Sequence, residues 1–484
     1  ERSMAAAAGI VAGIDRLDRV GDFTAPPFHV VVRADAHGRD AFLTADDVHK
    51  KTTPTRTTLE LGAEYERRIG PGQLKVIALT RRDTSPMEDV RDLFIGPRKI
   101  EVSRSQVDEQ TGEDILRASY AWPLSDSQSL EVGGEAARNS LDHGLRVFFD
   151  LNADDRVEEV LIPVADAQVE EIRGEVFVTH RWSPSHLLSL ESTLNYETST
   201  IPTNHPFAPE RTLAFFKPRL DARYRPNGAV QYRLLVERTV SQLDFGLFVP
   251  TYDVVDNEID AGTPGLSPEK AWVFELGYER RLPKDAGLIE ARAFYNDITD
   301  HIDKVPLLDS HGALYSAEGN QPKATLYGAE IKASLRLDSI GVPDALLSVR
   351  ALRQESEVLD PFTRKTRRLW NDRGYNYDIS FRQDLTRWGL AYGLTYKRFG
   401  WAADYSDLFV REYFTVEPTL EAFVEKRLSS STTLRVEIQN LTGSHEGKVR
   451  YLSAVSQADG VLRRSGRWEE ERDLRVAMRL RGKF

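Results

Sequence analysis

DLRVAMRLRGKF, residues Asp473 to Phe484, is the stretch on which the reading of the chain turns. Side chains of a strand alternate between two faces. Leu474, Val476, Met478, Leu480 and Phe484 therefore share one side, and Arg475, Arg479, Arg481 and Lys483 the other. An apolar ribbon backed by a cationic one is a poor edge in water, because its apolar side needs cover and its backbone needs a partner. A barrel in a bilayer meets both needs, since lipid covers the outer face and closure pairs the edge. The competing reading is an amphipathic edge strand of a soluble sheet.

Composition narrows the choice. The chain has 484 residues, 40% hydrophobic and 29% charged, with a mean hydropathy of −0.43. No run approaches the roughly eighteen consecutive apolar residues of a spanning helix, which excludes a helical membrane protein. A transmembrane β-barrel stays open, because only alternate residues need face lipid. Cysteine is absent, so neither disulfides nor thiolate metal sites are expected. The formal charge of −11 speaks against a nucleic-acid partner, which would require a basic face. Near the start, Met4 to Gly13 is small and apolar and runs into the charged Asp15 to Arg19. It reads as a linker or loose helix, with a signal-peptide remnant as the other reading.

Residues 1–55 show no sustained period apart from a candidate short strand at His29 to Val32, and are expected to be an irregular N-terminal segment ahead of a barrel over 56–484. From there the pattern changes. Leu59, Leu61, Ala63 and Tyr65 alternate with Glu60, Gly62, Glu64 and Glu66; Ile69 to Gly72 turns the chain; Leu74, Val76 and Ala78 return it as a hairpin. The unit recurs, with tight turns expected at 124–128, 183–185, 226–228, 283–287, 338–343, 386–389 and 429–431. Between them lie longer polar excursions, expected as loops, at 85–110, 140–168, 245–268, 300–322, 355–373 and 445–466. Short turns on one side and long loops on the other is the habit of an outer-membrane barrel. A soluble sandwich or propeller would also carry many strands. Alternation held for roughly eight to twelve residues, where soluble strands run to five or six, favours the barrel. So do rings towards strand ends at Trp272, Tyr278, Tyr295, Tyr396 and Tyr451, where a membrane interface wants them. The fold class expected is all-β, an antiparallel transmembrane β-barrel with about 17–18 strands in this chain.

Several stretches then resemble the TonB-dependent outer-membrane receptors. Leu266 to Glu279 (LSPEKAWVFELGYE) is similar to a strand entry of that family, Ala324 to Ala333 (ATLYGAEIKA) to its A-x-x-x-G-x-E strand, Phe216 to Pro226 (FKPRLDARYRP) to one of its hairpins, and Asn440-Leu-Thr442 to a turn before the last strands. The terminal Phe484 resembles the final aromatic residue that acts in barrel assembly. The resemblance covers roughly residues 55–484 and implies a barrel of about 22 strands, an N-terminal plug and a TonB box. Neither plug nor box is recognisable here, and the strand count falls short. Plug and first strands are expected to precede Glu1, to come from a second envelope chain, or to be absent. The implied function is a receptor taking up a scarce ligand across the outer membrane of a Gram-negative bacterium, in contact with outer-membrane lipid and lipopolysaccharide. The alternative is a plug-less, receptor-derived barrel serving as a structural or assembly partner in an outer-membrane complex.

Hydrolase, kinase, dinucleotide and zinc patterns are absent, so no catalytic residues, no resident metal and no cofactor are expected. The strongest ligand-binding candidate is the basic run Arg364, Lys365, Arg367 and Arg368 with Trp370, able to clamp carboxylates or phosphates. Its plain alternative is loop charge balanced by Asp360 and Asp372. His301 and His311 beside Asp300, Asp303 and Asp309 are a weaker candidate for holding a metal chelate, and Asp253, Asp256, Glu258 and Asp260 for a hard cation. Alternation puts Glu60, Glu64, Glu275, Glu279, Glu290, Arg292, Glu330, Lys332, Arg435, Glu437, Arg475 and Arg479 on the lumen side, where neighbours across the sheet are expected to pair.

Overall fold

The computed structural model describes residues 7–18, 46–95, 97–151, 153–162, 165–202, 210–253, 258–260, 262–308, 314–370, 372–400, 402–453, 456–471 and 473–482. Phe484 and His29 to Val32 lie outside them. Counting a strand and its collinear continuation as one, the described residues form 18 long strands. They are β1 (Ala7–Asp18), β2 (Asp46–Ile69), β3 (Gly72–Thr84 and Met87–Ile95), β4 (Arg98–Ser125), β5 (Gln128–Asp150) and β6 (Asp166–Ser185). Next come β7 (Leu188–Ile201), β8 (Arg211–Asn227), β9 (Val230–Val240), β10 (Lys270–Leu282), β11 (Gly287–Leu308) and β12 (Leu314–Arg336). The last are β13 (Ala345–Leu359), β14 (Tyr375–Leu385), β15 (Leu390–Phe399 and Ala402–Ser406), β16 (Val410–Val416 and Thr419–Arg427), β17 (Thr432–Gln439 and His445–Ser453) and β18 (Leu462–Glu471 and Arg475–Gly482).

Every strand pairs antiparallel with the next in sequence, an up-and-down meander without crossovers. No hydrogen-bonded pairing joins β1 to β18 among the described residues. The tight connections fall where the turn residues place them, at 70–71, 126–127, 228–229, 283–286, 337–344, 386–389 and 428–431, with the remaining one at 186–187, just beyond its expected position.

Two expectations need correction. Ala7–Asp18 pairs with Thr55 to Glu66, and β2 begins at Asp46, so the described part of the stretch expected to be irregular is extended. The segments 85–110, 300–322 and 445–466 are largely strand, not loop. Beyond the hydrocarbon both faces of a hairpin are wet, so the apolar period disappears from the sequence while the backbone ladder continues. The ladder satisfies its own polar groups and needs no apolar face to persist.

Side-chain placement follows the period of two. Leu474, Val476, Met478 and Leu480 are 56–73% exposed, as befits a face covered by lipid. Leu276, flanked on both sides by paired strands, is 63% exposed. Tyr224, Tyr232 and Tyr278 form a row on this face near the short turns, with ring centroids 6.4 and 5.5 Å apart. Phe274, Tyr295 and Tyr327 form a second row, 6.5 and 6.4 Å apart. On the opposite face the charges pair laterally. Arg233 joins Asp221 (2.7 Å) to Glu275 (3.3 Å), Arg292 joins Glu275 (3.1 Å) to Glu330 (3.1 Å), and Arg350 closes on Glu330 at 2.6 Å, a chain across β8 to β13. Lys217 bridges Glu175 and Glu197, 2.6 Å from each. Phe177 lies over Gly133, where a Cβ would come within 2.5 Å of the ring. A glycine under a cross-strand aromatic is one way a strongly curved sheet is filled.

Leu276→Arg distinguishes this arrangement from a water-facing one. At an outward position in mid-bilayer it is expected to cost about 2–4 kcal/mol, whereas an exposed site in water would change by about 0.5 kcal/mol or less. Reversible unfolding from lipid vesicles in urea measures the difference, and a near-neutral result would overturn the assignment of the outward face.

Candidate functional site

The described residues between β9 and β10, 241–253, 258–260 and 262–269, include a stretch that folds back against the lumen faces of the neighbouring strands. Leu243, Phe248, Val249 and Leu266 of this loop are buried against Leu141 of β5, Val169 of β6 and Ile201 of β7, with Leu213 and Ile302 packed around them. Each fully buried side chain of this size contributes about 1.5–3 kcal/mol. The loop was expected to be polar throughout. Its apolar run Leu243-Asp-Phe-Gly-Leu-Phe-Val249 was the signal that it packs.

Polar anchors hold it at both ends. Arg211 donates to the carbonyls of Pro264, Gly265 and Leu266 at 2.8–2.9 Å. Asn320 donates to the carbonyls of Ser267 and Asp300 and accepts from Ser267 N–H, each at 2.8 Å. The buried His143 Nε2 lies 3.0 Å from the Pro250 carbonyl, which can only accept, so this nitrogen carries the proton. Gly262 has φ +69°, and a Cβ there would lie 2.6 Å from the Val249 carbonyl, so the return of the loop admits only glycine.

Further along β11 lies a buried chain of charges. His301 is six residues beyond Tyr295, about 20 Å along a strand, and stands clear of the outward aromatic rows. Its Nδ1 donates to Glu269 at 2.6 Å and its Nε2 faces Asp303 at 3.7 Å. Arg367 reaches Asp303 from the loop after β13 at 2.6 Å. Burial alone would push the His301 ring down, but the carboxylates of Asp303 and Glu269 outweigh it and hold the ring up to about 9. Burial would likewise raise Asp303; His301 and Arg367 keep it below the usual carboxylate range. Lys304 contacts Asp260 and lies 3.4 Å from Glu318. Burial works against its charge, yet these two acids raise it.

The expected basic patch is divided by this packing. Arg364 and Lys365 are exposed at a turn where Asp360 accepts from the N–H of Phe362 (3.0 Å) and the hydroxyl of Thr363 (2.8 Å). Trp370 is exposed too. Arg367 is buried on Asp303, and Arg368 is paired with Glu355 at 2.9 Å. Asp372 turns to Gln354, Ser356 and Gly374 N–H, so it does not balance these cations in the way expected. His301 is engaged by Glu269, and Asp260 by Lys304. His311, Asp309 and Asp256 lie outside the described residues. Among the described residues no three ligand-type groups gather as a metal site would require.

A model of the TonB-dependent receptor-like β-barrel matches residues 15–441. No curated protein matches the sequence. Among solved structures the chain is similar to the ferric-catecholate import receptor Fiu of E. coli K12, with 9% identity and a TM-score of 0.54 over 96% of this chain and 80% of that one. It is similar to the copper transporter OprC, with 11% identity and a TM-score of 0.54 over 98% and 76%. It is also similar to a variant of the ferric enterobactin receptor PfeA of Pseudomonas aeruginosa, with 13% identity and a TM-score of 0.51 over 99% and 76%. At such identities the likeness is one of fold.

The His301 junction titrates with a definite sign. Its folded pKa of about 9 exceeds the unfolded value of about 6.5. Its contribution, on the order of 3 kcal/mol, is therefore complete below about pH 6.5 and is lost as pH rises through about 9. Protection of residues 262–269 and 360–370 against hydrogen exchange, relative to the intrinsic rate of each amide at the same pH, is expected to fall over that rise and to stay level in His301→Gln. Equal profiles for the two proteins would refute the assignment.

Proposed function

The chain belongs to the TonB-dependent receptor-like β-barrel family, and on that premise we propose that it forms the wall and outer loops of an importer in the bacterial outer membrane. Family members are outer-membrane proteins, and the observation that carries the reading here is the two-faced wall. An apolar, aromatic-edged surface faces outward, and a laterally paired ionic surface lines the lumen. In this reading a plug coupled to TonB drives transport, while these strands supply the enclosure and the ligand-catching mouth. The outward tyrosine rows meet lipid headgroups, with lipopolysaccharide around the outer rim.

The ligand class we assign is a scarce metal chelate with anionic groups, in keeping with the ferric-catecholate, copper and ferric-enterobactin proteins that share the fold. Arg364, Lys365 and Trp370 present two cations and a ring to it, while Arg367 and Arg368 hold their loop in place through Asp303 and Glu355. A second reading, the structural partner without transport, draws on the self-neutralised lumen. Glu330 takes Arg292, Lys332 and Arg350 from its own wall and needs no plug for balance.

Uptake assays in metal-starved cells separate the two. Import of a ferric catecholate, a ferric hydroxamate or copper is expected to depend on this protein and on TonB. Arg364→Ala with Lys365→Ala should raise the half-saturating concentration about tenfold or more, as loss of charge-assisted contacts implies. Unchanged uptake of all three on deletion would end the import reading and leave the structural one.

A further inference from the structure

Two lines of cross-strand neighbours run along the outward face from β10 to β15. One passes from Leu276 through Ala293 and Ala329 to Arg353 and Tyr375; the other passes from Tyr278 through Ala291, Ile331, Ala351 and Tyr377 to Arg398. Tyr278 lies four residues from the short-turn end of its strand and Arg398 eight residues from that of its own. Both lines therefore climb the wall towards the long loops, as tilted strands require. Their lower part is a trough of about 550 Å³, with Ala291, Ala293 and Ala329 as its floor and Leu276, Tyr278 and Ile331 rising around it.

The upper end of the lines is cationic. Arg353, whose side chain is 57% exposed, shares Glu355 with Arg368 of the loop after β13, so two guanidinium groups meet one carboxylate. Arg398 is exposed, lies 5.7 Å from the centre of the Tyr375 ring and has no carboxylate partner among the described residues. Tyr375, the cross-strand neighbour of Arg353, stacks at 5.3 Å on Tyr377, the neighbour of Arg398. The next outward acid, Glu357, is four residues beyond Arg353, about 13 Å nearer the loops. An arginine turned outward is tolerated only towards the interface, and there this face holds more positive charge than it can answer. A planar guanidinium fork suits phosphate oxygens.

We propose that this face is a docking site for lipid A, the diphosphorylated glycolipid that anchors lipopolysaccharide, with an acyl chain in the trough and a phosphate on Arg353 and Arg398. An apolar channel that ends in surplus cations matches an apolar tail that ends in an anionic head. The site rests on the outer-membrane reading for its leaflet, because the long-loop end of such a barrel faces outward. A second copy of the chain on the same patch would set arginine against arginine, and free phosphate would leave the trough unused.

Native mass spectrometry of the whole protein in detergent, titrated with diphosphoryl lipid A or with phosphatidylglycerol, tests this without energised transport. Lipid A is expected to bind saturably, and phosphatidylglycerol, with its single phosphate charge, about tenfold more weakly. Arg353→Gln with Arg398→Gln should weaken lipid A about tenfold. Ala329→Trp, which fills the trough beside Arg353, should weaken it by about as much, while Arg156→Gln on an outer loop changes nothing. Should either of the first two proteins fail to fold, as judged by heat-modifiable mobility, the other decides. Equal affinity for the two lipids in the parent, or parental affinity in the arginine pair or in Ala329→Trp, overturns the proposal. Preference for lipid A in a protein that imports nothing would sustain the site and reject the import reading; uptake without that preference would do the reverse.

Discussion

Hydrocarbon offers no hydrogen-bond partner, and each peptide group left open in it costs several kcal/mol. Every other feature of this wall is arranged around that deficit. The ladder from β2 to β18 pairs each strand with its sequence neighbour, and once the backbone is committed in this way a side chain has only two destinations. Period-two alternation therefore becomes a sorting rule, with Leu276 and Met478 to one face and Glu275 and Arg479 to the other. The same pairing explains why hairpins such as β11–β12 continue well past the aromatic rows. A ladder that satisfies itself in lipid does so equally well in water.

The lumen face solves a different problem. Its charges are partly wet, so any single pair contributes little. Sharing is what gives them weight, because Glu330 is held by three cations and Arg233 by two acids. A slip of one residue in any strand would turn its arginines towards lipid and its leucines into this ionic row. The charges thus enforce register more than they add stability, which accounts for a membrane protein with so many of them.

How far the sequence reveals this depends on which constraint acts at a given residue. Seven of the eight turns were legible, most of them because Gly, Pro, Asn and Asp are selected by local dihedrals, as at Ile69 to Gly72 and Pro226 to Gly228, whereas Ser183-Pro-Ser185 stays in the strand and the chain turns at 186–187. The outward face was legible because lipid imposes one sign of hydropathy on alternate residues. Above the membrane neither rule applies, and the strands of 85–110 and 300–322 look like loops. The mouth was least legible. Arg364 to Arg368 reads as one basic patch, yet Arg367 is withdrawn to an aspartate 64 positions earlier in the chain. His143 acquires its meaning only from Pro250, 107 positions away. Contacts at such separations leave no local pattern.

The mouth loop also bears on how a ligand would be held. A loop ordered only on binding subtracts its ordering entropy from the affinity. Residues 241–253 and 262–269 are already ordered by an apolar cluster, by three carbonyls gathered on Arg211 and by the Asn320 link, none of which involves a ligand. The neighbouring basic loop is tied down through Asp303 and Asp360 in the same manner. Selectivity at such a mouth comes from side chains standing at set distances on a fixed ledge. Closure of these two segments over a ligand would first have to break buried ion pairs, so binding there is expected to leave their backbone in place, and any large movement belongs to other parts of the rim.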